Sequence, residues 1–241
     1  MSPGAGPEGV PSDGGPLVFV ADLEAPVLAV ADHHHLARVR RLRTGDPLVL
    51  ADGRGGWRRA VFADLEPEVR GDVIIEPLVG PAVSVAFALV KGGRPELAVQ
   101  KLTELGVEHL RPFVAARSVV RWDSARAESG QARLERVALE AAMQSRRATL
   151  PVVHPVASFA HVAALAGACR ADRGGGPPTL QRPLVLVGPE GGWDDAERAV
   201  DLPVVALGSG VLRAETAAIA AGVVLTALRA GLVAPASTSR D

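Results

Sequence analysis

Apolar positions fall into two regimes along the 241 residues. From residue 17 to about 78 they come in short runs, at 17–20, 47–51, 57–63 and 72–77. Turn signals separate them, Thr44-Gly45-Asp46 and Asp52-Gly53-Arg54-Gly55-Gly56 among them. Short strands divided by such turns predict a small β-barrel or sandwich, interrupted by one short helix near 32–42. Gly80-Pro81 marks a boundary. Beyond it, apolar runs of strand length alternate with helical spacing.

The second regime starts with a strand at 83–90 and a helix at 95–105, with Pro95 in the first turn, where proline is tolerated, and Gly106 as the stop. A strand at 109–114 follows. Leu134, Val137, Ala138, Ala141 and Ala142 recur at i, i+3, i+4, i+7, i+8, which predicts an amphipathic helix over 131–146. A short strand at 151–154, a helix at 158–166 and a Gly/Pro-rich surface loop at 170–182 come next. Strands at 184–187 and 204–207 then alternate with helices at 195–200 and 215–231. Strand–helix alternation predicts an α/β fold, a parallel sheet with helices on both faces. The expected division is a lead-in at 1–16, a β domain at 17–79, an α/β domain at 82–235 and a disordered tail at 236–241.

Bulk properties remove some classes. No run is long enough to span a membrane. Residues 1–16 are rich in Gly, Pro and Ser and lack an apolar stretch, so they read as a disordered lead-in, not a signal peptide. The single cysteine, Cys169, allows no internal disulfide, and a cytoplasmic setting is expected. The formal net charge is −1, yet seven arginines (38, 40, 41, 43, 54, 58, 59) face only Asp46 and Asp52 between residues 36 and 60. Concentrated positive charge of this kind suits a phosphate backbone.

Two loops stand where an open α/β sheet binds ligands, straight after strands. One is Gly188-Pro189-Glu190-Gly191-Gly192; the other is Gly208-Ser209-Gly210-Val211-Leu212-Arg213. Glycine lets a ligand approach bare backbone. Glu190 sets a carboxylate among the glycines, and Arg213 and Glu215 set opposite charges at the start of the last helix. A nucleoside fits such a lining. Neither loop ends in the Gly-Lys-Ser/Thr of a triphosphate loop, and neither is a dinucleotide fingerprint. His33-His34-His35 are adjacent on a helix and do not face one another, and no Cys/His spacing suits zinc, so no metal is expected.

Five segments in order carry a family resemblance: 35–42 (HLARVRRL) with Gly45-Asp46; Lys91-Gly92 with 96–106 (ELAVQKLTELG); Arg117-Ser118 with 140–145 (EAAMQS); GPEGG with Glu197; and Leu207-Gly208 with 211–217 (VLRAETA). Together they resemble the RsmE family of ribosomal RNA methyltransferases, in the SPOUT superfamily. The resemblance implies a PUA-like β-barrel followed by an α/β domain with a trefoil knot, acting as a homodimer. It implies S-adenosylmethionine as cofactor, held by Val187, Gly188, Glu190, Gly191, Gly192, Leu207, Gly208, Val211, Leu212 and Thr216. The implied reaction is methylation of uridine N3 in small-subunit (16S) ribosomal RNA. Arg213 would stabilise charge on the uracil, and Glu190 or Glu215 would position a partner or accept the proton. Arg38, Arg40, Arg41, Arg43, Lys91 and Arg117 would grip RNA. The chain departs from the family pattern at Leu17, where an arginine is usual, at Arg40, and at Arg146, where glycine is usual.

Overall fold

The computed structural model describes residues 9–90, 94–118 and 124–234, with backbone alone at 124–126. Lys91 and Gly92, and the ends at 1–8 and 235–241, lie outside the described residues. Two compact units form. One takes residues up to Leu78 together with Leu139–Leu150; the other takes Val79–Ala138 and the residues from Pro151 on.

In the first unit, strands β1 (Leu17–Phe19), β2 (Pro47–Ala51), β3 (Gly56–Val61) and β4 (Glu68–Ile75) form one four-stranded sheet in that order. The first pair is parallel and the other two are antiparallel. Side chains alternate between faces along a strand, and here both faces are used. Leu48 and Leu50 of β2 join a cluster with Leu28, Leu36 and Phe62, while Val49 and Ala51 join another with Leu17, Trp57 and Ala148. Burial on both sides explains why β2 is nearly all apolar.

The expected helix is shorter in its α-helical part: α1 (Val30–His34) runs into a π-helical stretch, His35–Val39, of which only Leu36 is buried. Arg41 follows with φ 58, a left-handed backbone. Residues 9–16, expected in a disordered lead-in, are placed against this unit. The Val10 amide donates to the Glu76 carboxylate at 2.8 Å, and Arg146 Nη1 donates to the Gly15 carbonyl at 2.7 Å. Arg146 itself has φ 57. That conformation costs a side chain about 1 kcal/mol or more and glycine almost nothing, which accounts for the glycine usual at this point in the family pattern.

The second unit is built on β5 (Ser84–Ala88), β6 (His109–Val114), β7 (Val152–Val153), β8 (Ala157–Ser158), β9 (Ala168–Gly176), β10 (Leu184–Val187) and β11 (Val204–Val205). The sheet runs β11-β9-β10-β5-β6-β7, with β8 also on β6, and every pairing is parallel. Helices α2 (Arg94–Glu104), α3 (Ser124–Gln144) and α6 (Ala214–Arg229) put Ala98, Leu102, Leu134, Ala218 and Leu225 against Val85, Phe87, Val185 and Val187. The other face, Ala86, Ala88, Leu184 and Leu186, meets α4 (Phe159–Ala163) and Trp193. Alternation along β5 and β10 therefore feeds two clusters. Gly106 ends α2 with φ 90, as the sequence predicts.

One expectation is overturned. Residues 170–182 are not simply a surface loop: 168–176 form β9, a strand interior to the sheet between β10 and β11. Its glycines and charges hide it from a hydrophobic pattern. Each has a local reason. A Cβ on Gly175 would lie 2.6 Å from the backbone of Val204 and Val205, so only glycine lets the two strands approach there. Arg170 is buried, and its Nη1 donates to the Glu197 carbonyl at 2.8 Å. Helix α3 also begins seven residues before its predicted start, at Ser124.

Candidate functional site

The parallel strands β9, β10 and β11 end together, and two loops leave from there. The first, from Gly188 to Asp194, is fixed at both ends. Asp194 caps α5 (Asp195–Ala199): its carboxylate accepts from the Glu197 amide at 2.7 Å, and the Glu197 carboxylate accepts from the Asp194 amide at 3.1 Å. Glu197 also accepts from the Ala116 amide at 2.8 Å, which ties the loop's far end to the segment after β6. A cap of this kind contributes about 1 kcal/mol and sets the direction of the chain.

Trp193 fixes the middle. Its indole is buried, stacks 6.1 Å from Phe113 at 6°, and donates to the Ala171 carbonyl at 3.0 Å. Gly188 lies directly on the ring: a Cβ there would come within 2.9 Å of it. Arg117 Nη1 donates to the Gly191 carbonyl at 3.0 Å. The residue expected to grip RNA thus also braces the loop.

The second loop, residues 208–213, is exposed throughout. Val211 is 76% exposed. Added Cβ atoms on Gly208 and Gly210 would meet nothing within 4 Å. Arg213 has an extended backbone at the start of α6, and its carbonyl accepts from the Ala217 amide at 2.8 Å. Its exposed side chain makes no hydrogen bond among the described residues.

Between the loops lies a cavity of about 380 Å³. Of the ten positions expected to hold cofactor, Val187, Gly188, Glu190, Gly192, Leu207, Gly208, Val211 and Leu212 line it. Gly191 and Thr216 do not, and among the catalytic candidates Arg213 and Glu215 border it without lining it. Ala171, Asp172 and Arg173 line it from β9, and Arg198 lines it from α5. The sequence reading missed the first three because it took β9 for a surface loop, and Arg198 because nothing local marks a helix residue that faces the cavity.

Arg94 was also missed. At the start of α2, it pairs with Glu190 through Nη1, and its Nε lies 3.7 Å from Glu215 Oε1. One guanidinium therefore links the first loop to the start of α6. The Glu215 side chain is 12% exposed, and its Oε2 is buried with no hydrogen-bond partner. Glu190 is 51% exposed. The two carboxylates proposed as alternatives from sequence thus stand in different surroundings, one facing the cavity and one behind Arg94.

Comparison with known proteins decides the family. An RNA methyltransferase domain matches residues 79–226, and an RNA methyltransferase PUA domain matches 31–68. The ribosomal RNA small subunit methyltransferase E of Mycobacterium bovis is 36% identical over 85% of this chain and 89% of its own. The chain belongs to the ribosomal RNA small subunit methyltransferase E family. Solved relatives agree in fold. The enzyme of that name from Neisseria gonorrhoeae, bound to S-adenosylmethionine, is 25% identical over 88% of this chain and 97% of its own, with TM-score 0.71. A chain from Porphyromonas gingivalis is 30% identical over 90% of this chain and all of its own, with TM-score 0.75.

The PUA match covers the basic cluster, and the structure divides that cluster in two. Arg38, Arg40, Arg41 and Arg43 are exposed. Arg58 is not: it is 8% exposed and donates to the Leu23 carbonyl and Glu24 carboxylate, each at 2.9 Å, and to the Gly71 carbonyl at 2.5 Å. Arg54 pairs with Asp52 at 3.5 Å and Arg59 with Asp13 at 3.7 Å. The positive surface is therefore narrower than the residue count suggests, and centres on 38–43.

Proposed function

We propose that this protein transfers the methyl group of S-adenosylmethionine to N3 of one uridine in small-subunit ribosomal RNA. The observation that carries the reading is the cavity between the two glycine loops, at the ends of parallel strands in a chain of this family. Its volume of about 380 Å³ falls within the roughly 300–1,000 Å³ usual for small-molecule sites. Its lining suits the cofactor: Val187, Leu207 and Leu212 offer apolar walls for an adenosyl group, and Gly208 and Gly210 offer backbone with no side chain in the way. Glu190 supplies negative charge on the lining toward a cationic ligand. When bound, the cofactor supplies a methyl group on a positively charged sulfur.

The protein's residues have three tasks. They align the two reactants, which is worth several orders of magnitude. They remove the N3 proton of the uracil. They stabilise the negative charge that its oxygens then carry. Glu190 faces the cavity, paired with Arg94, and is the carboxylate placed to meet that proton; Glu215 lies behind Arg94 at 3.7 Å. The exposed guanidinium of Arg213, beside the cavity mouth, is the group for the developing charge. Arg38, Arg40, Arg41 and Arg43 would engage RNA phosphates, with Lys91 and Arg117 as further contacts.

The same reading closes the first unit's sheet as a PUA-like barrel and threads the loops of the second as a trefoil knot. It also makes the enzyme a cytoplasmic homodimer. Exposed apolar side chains on and after α6, Val223 at 43% and Leu232 at 79%, suit a second copy.

The test is methyl transfer from labelled S-adenosylmethionine to small ribosomal subunits lacking the modification, with mapping of the labelled base. Label on N3 of a single uridine is expected. Label on ribose or on another base would overturn the assignment of the reaction. Cofactor binding without label would overturn the substrate, and no cofactor binding would overturn the enzyme reading. Replacing Arg38 and Arg43 by alanine is expected to reduce the salt dependence of RNA binding by about two in slope.

A further inference from the structure

A second concave site lies on the opposite side of the sheet from β11, along the outer edge of β6. β7 pairs with the start of β6 at His109 and Leu110, and β8 with its end at Phe113 and Val114. Between the two pairings, Pro155 and Val156 have no register partner on β6, where Arg111 and Pro112 stand. The space left is about 420 Å³, lined by Arg111, His154, Ser158 and His161 with apolar neighbours. No acidic residue is among its lining.

Its charge is uncompensated. Arg111 Nε donates to Ser84 Oγ at 3.0 Å, and the two terminal nitrogens have no partner among the described residues. Other half-buried guanidinium groups in this unit do have one: Arg94 has Glu190, and Arg229 has Glu108 at 2.5 Å. Three imidazoles crowd the same edge. His109 Nδ1 and His154 Nε2 are 3.1 Å apart, and His161 faces in from α4. The nearest acid acting on them, Glu108, bears on His109 and is held by Arg229. A partly desolvated guanidinium with free donors, flanked by imidazoles and no carboxylate, is arranged for an anion.

We propose that the Arg111–His154–His161 pocket binds a phosphate group. The terminal nitrogens of Arg111 supply a fork for two oxygens. His154 supplies a third donor: with Nε2 turned to His109, its Nδ1 is left for the ligand. The titration of His154 fits. Burial, then the charges of Arg111, His109 and His161, push it down to about 4, so without a ligand the imidazole is neutral at pH 7. A bound anion offsets those causes and draws a proton onto the ring. For a phosphodiester, which stays anionic, affinity therefore increases as pH falls from 7 toward 4.

The phosphate has two possible sources, the backbone of an RNA strand or a free phosphate ion or monoester. The site does not depend on the methyl-transfer reading, since its probe needs neither cofactor nor ribosome. The experiment follows the histidine ring signals of the full chain by NMR against pH, with inorganic phosphate and separately with the dinucleotide uridylyl-uridine. Saturating probe is expected to raise the proton affinity of His154 about tenfold or more, and Arg111→Gln to abolish the response. His161→Ala, at an exposed position outside the core, is expected to weaken phosphate binding several-fold with the fold intact. A response to inorganic phosphate alone assigns a free phosphate; a response to the dinucleotide assigns the RNA backbone. Unmoved His154 and His161 signals with both probes overturn the site. A wild-type chain that responds to phosphate yet transfers no methyl group keeps this site and loses the reaction proposed above.

Discussion

The two glycine loops leave the same end of the same sheet and border the same cavity, yet they are built differently. The loop at 188–194 is braced by an indole below Gly188, a capping box at Asp194 and an arginine on the Gly191 carbonyl. Among the described residues the loop at 208–213 has no such braces, and space around Gly208 and Gly210 is open. The glycines therefore serve different ends. In the first loop they allow the protein to pack on itself; in the second they leave room for something else. The cavity thus has one fixed wall and one wall with room beside it.

The contrast breaks first if Gly188 tolerates a side chain. Gly188→Ala would push a methyl group into the Trp193 indole, which cannot swing away because Phe113 and the Ala171 carbonyl hold it. Overpacking of this kind costs about 1–3 kcal/mol. Thermal unfolding should show that loss, and calorimetry should show S-adenosylmethionine binding weakened by more than about tenfold, the equivalent of 1.4 kcal/mol. A variant of wild-type stability would mean that the first loop is not fixed by the tryptophan.

Arg213→Ala tests the bare wall. Its side chain is exposed and makes no hydrogen bond among the described residues, so stability should hold while turnover falls by about a hundredfold, the scale for losing one donor to developing charge. Single-turnover kinetics and cofactor binding separate the outcomes. Lost affinity with normal turnover at saturation would move Arg213 from the reaction to cofactor binding.

The two loops were legible in the sequence, but much of what surrounds them was not. Both loops announce themselves, since each puts glycines straight after a short apolar run. β10 is legible to the residue for the same reason: Leu184–Val187 is short and wholly apolar. β6 is legible at the same bounds although His109 and Arg111 interrupt its apolar residues. What escaped was structure made by backbone approach and by pairing across long stretches of chain. β9 is written in glycines and charges, because Gly175 meets neighbouring backbone and Arg170 is satisfied by carbonyls from α5. Its residues Ala171–Arg173 were lost to the site with it. Arg94 finds Glu190 and Glu215 across roughly a hundred residues, and no local pattern marks it. Arg58 errs in the other direction: it counted toward a basic surface, and the fold buries it among carbonyls.

Arg94→Gln probes the link between the walls. The pair with Glu190 is partly exposed and by itself is worth no more than about 1 kcal/mol. Glu215 is nearly buried and loses its cation too, so the total cost should exceed that and approach the roughly 3–5 kcal/mol of a broken buried pair. The larger consequence is electrostatic: Glu190 and Glu215 lose the cation between them. Turnover should fall by about tenfold, because the two carboxylates are no longer held in place from opposite sides. Lysine at this position should restore part of the rate by returning the charge without the fork. Unchanged turnover in Arg94→Gln would show that the link between the walls does not serve the reaction.

The smallest effect sharpens the comparison most. Gly210→Ala adds the same methyl group as Gly188→Ala, but into open space and without a left-handed backbone to strain. Stability of the free protein should stay within about 0.5 kcal/mol of wild type. If the second loop closes with its backbone against the cofactor, the methyl group is felt only in the complex, and affinity should drop a few-fold while the unfolding temperature is unchanged. That pattern, a cost in the bound state alone, is the signature of a wall completed by its ligand. Equal affinity for wild type and variant would show that the loop stays open over the bound cofactor, and the room around Gly210 would then belong to the incoming RNA.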